Sequence, residues 1–173
     1  GVSVTTLDRD LARKMEPRAA TPPRRIETLR ALNAAGVPTM VMAAPMIPFL
    51  NDWELERILD AAAAAGASRA FSIVLRLPWE VNPIFQQWLD RHFPERAARV
   101  MARVREMRGG RDYDASFGTR MTGQGVWAEL LRQRFKLAVQ RIGNHHTGAC
   151  GLLLQREAAC TRQAHAFIHQ HLG

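Results

Sequence analysis

Cysteine and long apolar runs are both scarce in this 173-residue chain, and each shortage removes a class of protein. Cys150 and Cys160, with nine residues between them, are the only thiols. That spacing suits neither a tight zinc or iron–sulfur site nor a disulfide-stapled secreted domain, so free thiols in the cytoplasm are expected. No apolar run reaches the roughly 18 residues that cross a bilayer. No basic stretch followed by an apolar one opens the chain, so nothing argues for secretion. Also missing are a Walker loop, a dinucleotide fingerprint, a nucleophile elbow and a His-Glu-x-x-His pair, and with them the enzyme classes those motifs mark.

What is present is arginine and apolar bulk. The formal net charge is +8, and Lys14 and Lys136 are the only lysines. Arginine- and alanine-rich usage follows from GC-rich codons without any selection for a polyanion. The density peaks between Arg91 and Arg111, with seven arginines against Glu95 and Glu106. Two readings stand side by side: a nucleic-acid surface using Arg96, Arg99, Arg103 and Arg111, or a solvated basic helix face. Apolar residues make up 47% of the chain, enough for one globular domain with a real core.

The centre of the pattern is Gly36 to Asp52. Val37 to Ala44 is apolar without alternation, as in a strand buried on both faces of a parallel sheet. Pro45 and Pro48 should stop the ladder, since proline has no N–H to give. Before this strand lie a first strand, Val2 to Leu7, a short helix capped by Asp8, and a helix capped by Thr21. The second helix turns Ile26, Leu29 and Leu32 inward and Arg24, Arg25 and Arg30 outward, and Gly36 closes it. After it come a helix capped by Asp52 with Leu55, Ile58, Leu59 and Ala62 on one face, Gly66, and a third strand, Ala70 to Leu77. Strand–helix–strand–helix–strand with short loops predicts parallel strands joined by right-handed crossovers.

Beyond residue 81 the pattern becomes helical. Phe85, Trp88 and Leu89 share one helical face. A basic amphipathic helix carries Ala97, Val100, Met101, Val104 and Met107. Gly109-Gly110 and a glycine-rich loop follow, and a further helix carries Trp127, Leu130, Leu131, Phe135, Ala138 and Ile142. Asn144 to Gly148 reads as loop, and Leu152 to Leu172 as a final helix. The expected organisation is 1–81 as β/α units, 82–143 as a helical extension and 144–173 as a tail. Three strands are few for a parallel sheet that stands alone, which points to part of a larger barrel. The chain also opens on Gly1, almost directly on a strand, which suggests a fragment or a processed start.

Polar residues at the strand ends are the first site candidates: Ser3 and Thr5 on strand one, Asn51 after strand two, and Arg76 at the end of strand three. With Arg18 over the same rim they would suit a zwitterionic, carboxylate-bearing ligand; the alternative is that they satisfy loop backbone or face solvent. His165 and His169 are four apart on a possible helix, with His171 near, so zinc ligation is conceivable but lacks an acidic or thiol partner. The loop from Gly109 to Gly125, with Arg108, Arg111 and Arg120, lacks the strand–loop–helix setting of a phosphate cradle and reads as a connection.

Several motifs taken together resemble a known family. Ser3-Val4-Thr5-Thr6-Leu7-Asp8, Met15-Glu16-Pro17-Arg18-Ala19, Ala44-Pro45-Met46-Ile47-Pro48 with Asn51-Asp52, Leu75-Arg76-Leu77-Pro78, and Met107-Arg108-Gly109-Gly110-Arg111 with Phe117-Gly118-Thr119-Arg120-Met121 are similar to the second half of radical S-adenosylmethionine (radical SAM) proteins. The spore-photoproduct-lyase-like branch is the nearest in pattern, from Val2 to Gly143. The resemblance implies the last three β/α units of a partial (β/α)6 barrel. It also implies S-adenosylmethionine and a [4Fe–4S] cluster as cofactors, hydrogen abstraction as chemistry, and a DNA-lesion lyase as the nearest activity. The family's Cys-x-x-x-Cys-x-x-Cys cluster motif is not in this sequence. No metal ligand is therefore assigned here, the cluster-binding half is expected upstream, and this chain alone is expected to be inactive. By the same resemblance, Ser3, Thr5 and Arg18 meet the amino-acid end of S-adenosylmethionine, Pro45, Ile47 and Asn51 lie near its adenosyl group, and Arg76 and Glu80 face substrate. Phe49 departs from the small residue, often Gly, expected at its position. Two rival classes stay open: a non-catalytic nucleic-acid-binding module using the helix of residues 91–111, and an iron-free β/α-barrel enzyme.

Overall fold

Gly36 and Gly66 each end a helix with positive φ (76° and 91°) and turn the chain into a strand. At Gly66 a Cβ would also lie 1.8 Å from Asn33 Nδ2, so the Asn33 amide, which donates to Ala65 O (3.3 Å), would have to move. The computed structural model describes residues 1–116 and 118–145. Among these residues the chain is mixed α/β, with a three-stranded parallel sheet in the order β1-β2-β3 and six helices. The order is β1 (Val2–Ser3), α1 (Arg9–Met15), α2 (Pro22–Ala34), β2 (Met40–Met46), α3 (Leu55–Ala64), β3 (Arg69–Val74), α4 (Val81–His92), α5 (Pro94–Met107) and α6 (Gly125–His145).

Sequential strand order with parallel pairing means that consecutive crossovers run the same way round, which brings their helices to one face of the sheet. α2 packs on β1, α3 packs on β2, and α2 and α3 touch each other. Val4, Val41 and Ala43 are buried, whereas Met40 and Met42 are half-buried and Phe71 is exposed. In the register, Ser3 pairs with Met42 and Met42 with Phe71, so these residues share the more open face. The expectation of a central strand buried on both faces is therefore corrected: the helices cover one side only.

The two outer edges differ. Beyond β3, Val74 N–H donates to Met121 O (3.2 Å), so the loop before α6 meets the C-terminal end of that edge. Beyond β1, Val4 N–H points to Met42 O (2.9 Å), which turns the neighbouring Ser3 backbone outward. There Ser3 O accepts only from Arg25 Nη1 (2.9 Å) among the described residues. The helical region is not separate from the sheet. α6 packs on α3 and α5, and one cluster of buried side chains runs from Val4 to Ile142.

Several local expectations shift. β2 starts at Met40 rather than Val37, which is exposed, and it runs through Pro45 to Met46. Pro45 causes an irregularity in the ladder between Ala43 and Met46 rather than its end, and Leu75 N–H still reaches Met46 O (3.0 Å). Asp8 caps α1 as expected, its Oδ1 accepting from Asp10 N–H and Leu11 N–H (2.8 and 3.2 Å). Thr21 precedes α2 without a side-chain cap bond. Arg25 turns inward and Leu32 outward, because the guanidinium finds acceptors at the end of β1. Asp52 opens a 3₁₀ turn, Asp52–Glu54, and gives its Oδ2 to Trp127 Nε1–H (3.2 Å) instead of capping α3. α6 extends through Asn144 and His145, which were read as loop. His146, Cys150, Cys160, His165, His169, His171 and the helix expected over Leu152 to Leu172 lie outside the described residues.

α6 is tied to the β/α unit by a two-pronged ion pair, Arg134 Nε to Glu56 Oε1 (2.7 Å) and Nη2 to Oε2 (2.6 Å), with Nη2 also donating to Asp52 O (3.0 Å). These bonds from Arg134 hold the Glu56 carboxyl below its ordinary value, against the opposing effect of burial. A carboxyl with a lowered folded pKa contributes fully above its unfolded pKa, and the contribution disappears as pH falls through the folded value. Urea denaturation should show Glu56→Gln to be less stable than the parent by about 1 kcal/mol near neutrality. The gap should close as pH falls through and below the carboxylate range, and a gap that persists in acid would show that the pair is not the cause.

Candidate functional site

The C-terminal ends of β1 and β2 are joined by a buried amide. Asn51 is fully buried; its Oδ1 accepts from Ile47 N–H (2.6 Å), and its Nδ2 donates to Thr5 O (2.7 Å) and Pro45 O (2.9 Å). Ser3 Oγ and Thr5 Oγ1 both donate to Ala44 O (3.2 Å each). Ser3, Thr5, Pro45, Ile47 and Asn51 are thus brought together at one rim. They do not all face a ligand, however. Ile47 is buried, and both polar atoms of the Asn51 side chain are bonded to backbone, so the two residues shape the rim. Arg18 is exposed on the link between α1 and α2.

Three residues that sequence reasoning passed over organise the same corner. Glu16 Oε2 accepts from Arg25 Nη2 (2.8 Å) and from Thr5 Oγ1 (3.4 Å). Arg25 also donates through Nε to Ala20 O (2.9 Å), so one guanidinium holds the end of β1, the end of α1 and the start of α2. Glu54 is buried, accepting from Thr6 Oγ1 and from Leu7 N–H (3.1 Å). Glu54 falls in helical step with Ile58 and Ala62, a periodicity that marks a carboxylate on the buried face of the helix. Beside them is a cleft of about 150 Å³ lined by Thr5, Thr6, Arg9, Arg13, Glu16 and Arg25, among others. It is smaller than the roughly 300 Å³ at which whole-cofactor pockets begin, and suits an amino-acid-sized group.

Phe49 explains where the basic helix spends its charge. Its φ is +62°, a left-handed conformation that costs an L-residue about 1–2 kcal/mol. Arg99 lies over its ring at 4.0 Å and Arg103 at 5.6 Å, and Arg96 Nη1 donates to its carbonyl (3.2 Å). Each cation–π contact at such a site offsets about 0.5–1 kcal/mol. Three of the four arginines read as a nucleic-acid surface therefore already engage the loop after β2. Arg111 is exposed.

At the end of β3, Arg76 is half-buried, with Nη1 against Met121 Sδ and Nη2 against Tyr113 Oη (3.4 Å each). Arg108 is buried and donates to Thr119 O (3.0 Å) and Leu75 O (2.7 Å). Glu80 is exposed at the start of α4 and makes no side-chain cap bond.

Over 108 residues, 61% of this chain, the sequence is 36% identical to uncharacterized proteins of Mycobacterium bovis (strain ATCC BAA-935 / AF2122/97) and of Mycobacterium tuberculosis (strains CDC 1551 / Oshkosh and ATCC 25618 / H37Rv). The matched stretch spans about a third of those relatives, 31% of their length. No family model matches the chain, and no solved structure matches it significantly. Among the described residues, no group of three or more His, Cys, Asp and Glu side chains is placed to hold a metal, and no helix is long and apolar enough to cross a membrane.

Two measurements separate shaping from binding at this rim. Asn51→Ala strands the buried Ile47 N–H and two carbonyls, and should cost about 2–4 kcal/mol in urea denaturation with no ligand present. At position 49, Phe49→Ala keeps the unfavourable φ and loses the ring, whereas Phe49→Gly loses the ring but relieves the φ. Ala should therefore be the less stable variant, by about 1 kcal/mol. Equal stabilities would mean that the backbone at 49 is unstrained.

Proposed function

We propose that this chain forms the last three β/α units of a radical SAM partial (β/α)6 barrel in a cytoplasmic enzyme, with a DNA-lesion type of lyase as the nearest activity. The observation that supports this reading is the asymmetry of the sheet. Helices cover one face, the Met121 loop meets the C-terminal end of the β3 edge, the β1 edge is met by the Arg25 side chain alone among the described residues, and the face carrying Ser3, Met42 and Phe71 is the more open one. In this reading further strands add on the β1 side, as in a barrel whose final strand is β3. The mycobacterial relatives are about three times as long as the matched stretch, in keeping with further polypeptide in such a protein.

The rim fits the amino-acid end of S-adenosylmethionine. The Ser3 hydroxyl hydrogen is directed to Ala44 O and the single Thr5 hydrogen is shared between Ala44 O and Glu16 Oε2, so the lone pairs of both hydroxyls suit an ammonium donor. Arg18, Arg9 and Arg13 are exposed guanidinia beside the same corner and suit a carboxylate. Bound there, the cofactor would supply the family's hydrogen-abstracting chemistry, and this chain would bind and orient it. The sequence holds no Cys-x-x-x-Cys-x-x-Cys motif and the described residues hold no cysteine, so in this reading the cluster's ligands belong to polypeptide outside this chain. The nucleic-acid module gains no comparable support, since Arg96, Arg99 and Arg103 are turned to Phe49.

The test is made on the parent reading frame, extended upstream and expressed without oxygen. About four irons per chain are expected, lost when a Cys-x-x-x-Cys-x-x-Cys motif is mutated. S-adenosylmethionine binding should weaken about tenfold on Thr5→Val. An upstream sequence with no such motif, and a protein without iron, would sink the reading.

A further inference from the structure

Two arginines meet at the end of β3 without a carboxylate. Arg108 is buried beneath the rim, its two Nη groups taken by backbone carbonyls, and Arg76 lies next to it. Burial first, and then the charge of Arg76, push the Arg108 guanidinium below its ordinary value. The Nε atoms of both side chains are buried and have no partner among the described residues. The outer groups of Arg76 meet only a thioether and a phenol, both at 3.4 Å, which are weak acceptors at long range.

The acids nearby are engaged elsewhere. Asp114 accepts from Ser116 N–H, Ser116 Oγ and Thr119 Oγ1 (3.0, 2.6 and 2.9 Å), bonds that lower its pKa to about 2. It acts on Arg108 through charge alone. Asp112 accepts from Asn82, Arg105 and Gln86 (3.0, 2.7 and 3.4 Å). No ion pair with Arg76 or Arg108 occurs among the described residues. Two repelling cations are thus held together at the C-terminal end of a parallel strand, where α/β folds place their ligands.

We propose that the end of β3 is an oxyanion subsite, in which the Arg76 guanidinium and the Tyr113 hydroxyl grip a carboxylate or phosphate group and Arg108 adds charge from behind without touching it. An anion there replaces the Met121 sulfur and the long phenol contact with charge-assisted hydrogen bonds and relieves the repulsion between the two guanidinia. Assigning this anion to the substrate rests on the radical SAM reading; the subsite itself does not.

The 173-residue chain is titrated with inorganic phosphate and, separately, with acetate, each against sodium chloride at matched ionic strength, and the thermal midpoint is followed. A saturable rise in midpoint beyond that of chloride is expected with at least one anion. The anion that saturates at lower concentration identifies the subsite as one for phosphate or for carboxylate groups. Arg76→Gln should weaken the apparent affinity about tenfold or more, and Tyr113→Phe about threefold. Arg111→Gln, a loss of charge on the neighbouring exposed loop, should leave it unchanged. If Arg76→Gln does not fold, the Arg76 Nε–H resonance of the unaltered chain decides: a saturable shift supports the subsite, and no shift overturns it. Effects no larger than those of chloride, or equal losses in Arg76→Gln and Arg111→Gln, also overturn it. Iron and S-adenosylmethionine are absent from the experiment, so a negative result leaves the barrel reading standing, and failure of the barrel reading leaves the anion result standing.

Discussion

The Asn51 amide is the contact on which the rim depends. Two strand ends must curve toward each other just where their ladder stops, and their backbone groups lose their partners there. One side chain with an acceptor on one side and two donor hydrogens on the other satisfies Ile47 N–H, Thr5 O and Pro45 O together. An aspartate would present a second acceptor to two carbonyls, and a shorter side chain would reach neither strand. With the amide in place, Ala44 O is held where both Ser3 and Thr5 donate to it, and the loop carrying Phe49 leaves β2 in a set direction. The rim is thus a hydrogen-bonded unit before any ligand approaches.

Arginine does for the outer layers what Asn51 does for the rim. Arg25 gathers three backbone segments around Glu16, Arg134 clamps α6 to α3, and Arg96, Arg99 and Arg103 brace Phe49. The planar fork of the guanidinium suits these tasks, because it reaches two acceptors at fixed angles and can stack on a ring. A net charge of +8 therefore says less about a polyanion partner than its size suggests. Against this pattern Arg76 differs. It sits at the strand end where ligands collect, and its contacts are the weakest any of these cations makes.

The relatives in Mycobacterium share this stretch within a longer chain and are themselves uncharacterized. Function is therefore argued from the site. A β1 edge met only by the Arg25 side chain among the described residues, a β3 edge met at its end by the Met121 loop, and polar groups at the C-terminal strand ends support the closing part of a larger sheet in the proposed reading. The same asymmetry speaks against an independent basic module, whose exposed strand edge would invite aggregation unless something covered it.

The β/α alternation, the helices and most of the core were legible in the sequence. Glycine stops such as Gly36 and Gly66, and apolar periodicity such as Leu55, Ile58, Leu59 and Ala62, act within a turn or two of chain. The Asp8 cap was readable for the same reason. Tertiary structure decided what depends on partners far away in sequence. Val37 looks like strand but has no neighbour to pair with, and Arg25 looks like surface but finds Ser3 O and Glu16. Asp52 looks like a cap but is drawn to Trp127, 75 residues on. That Asn51 joins the two strand ends was not legible either, because a polar side chain is aimed by its neighbours in space. Local periodicity determined the elements of this protein by itself; which polar groups are spent and which stay free was decided only when the strand ends met.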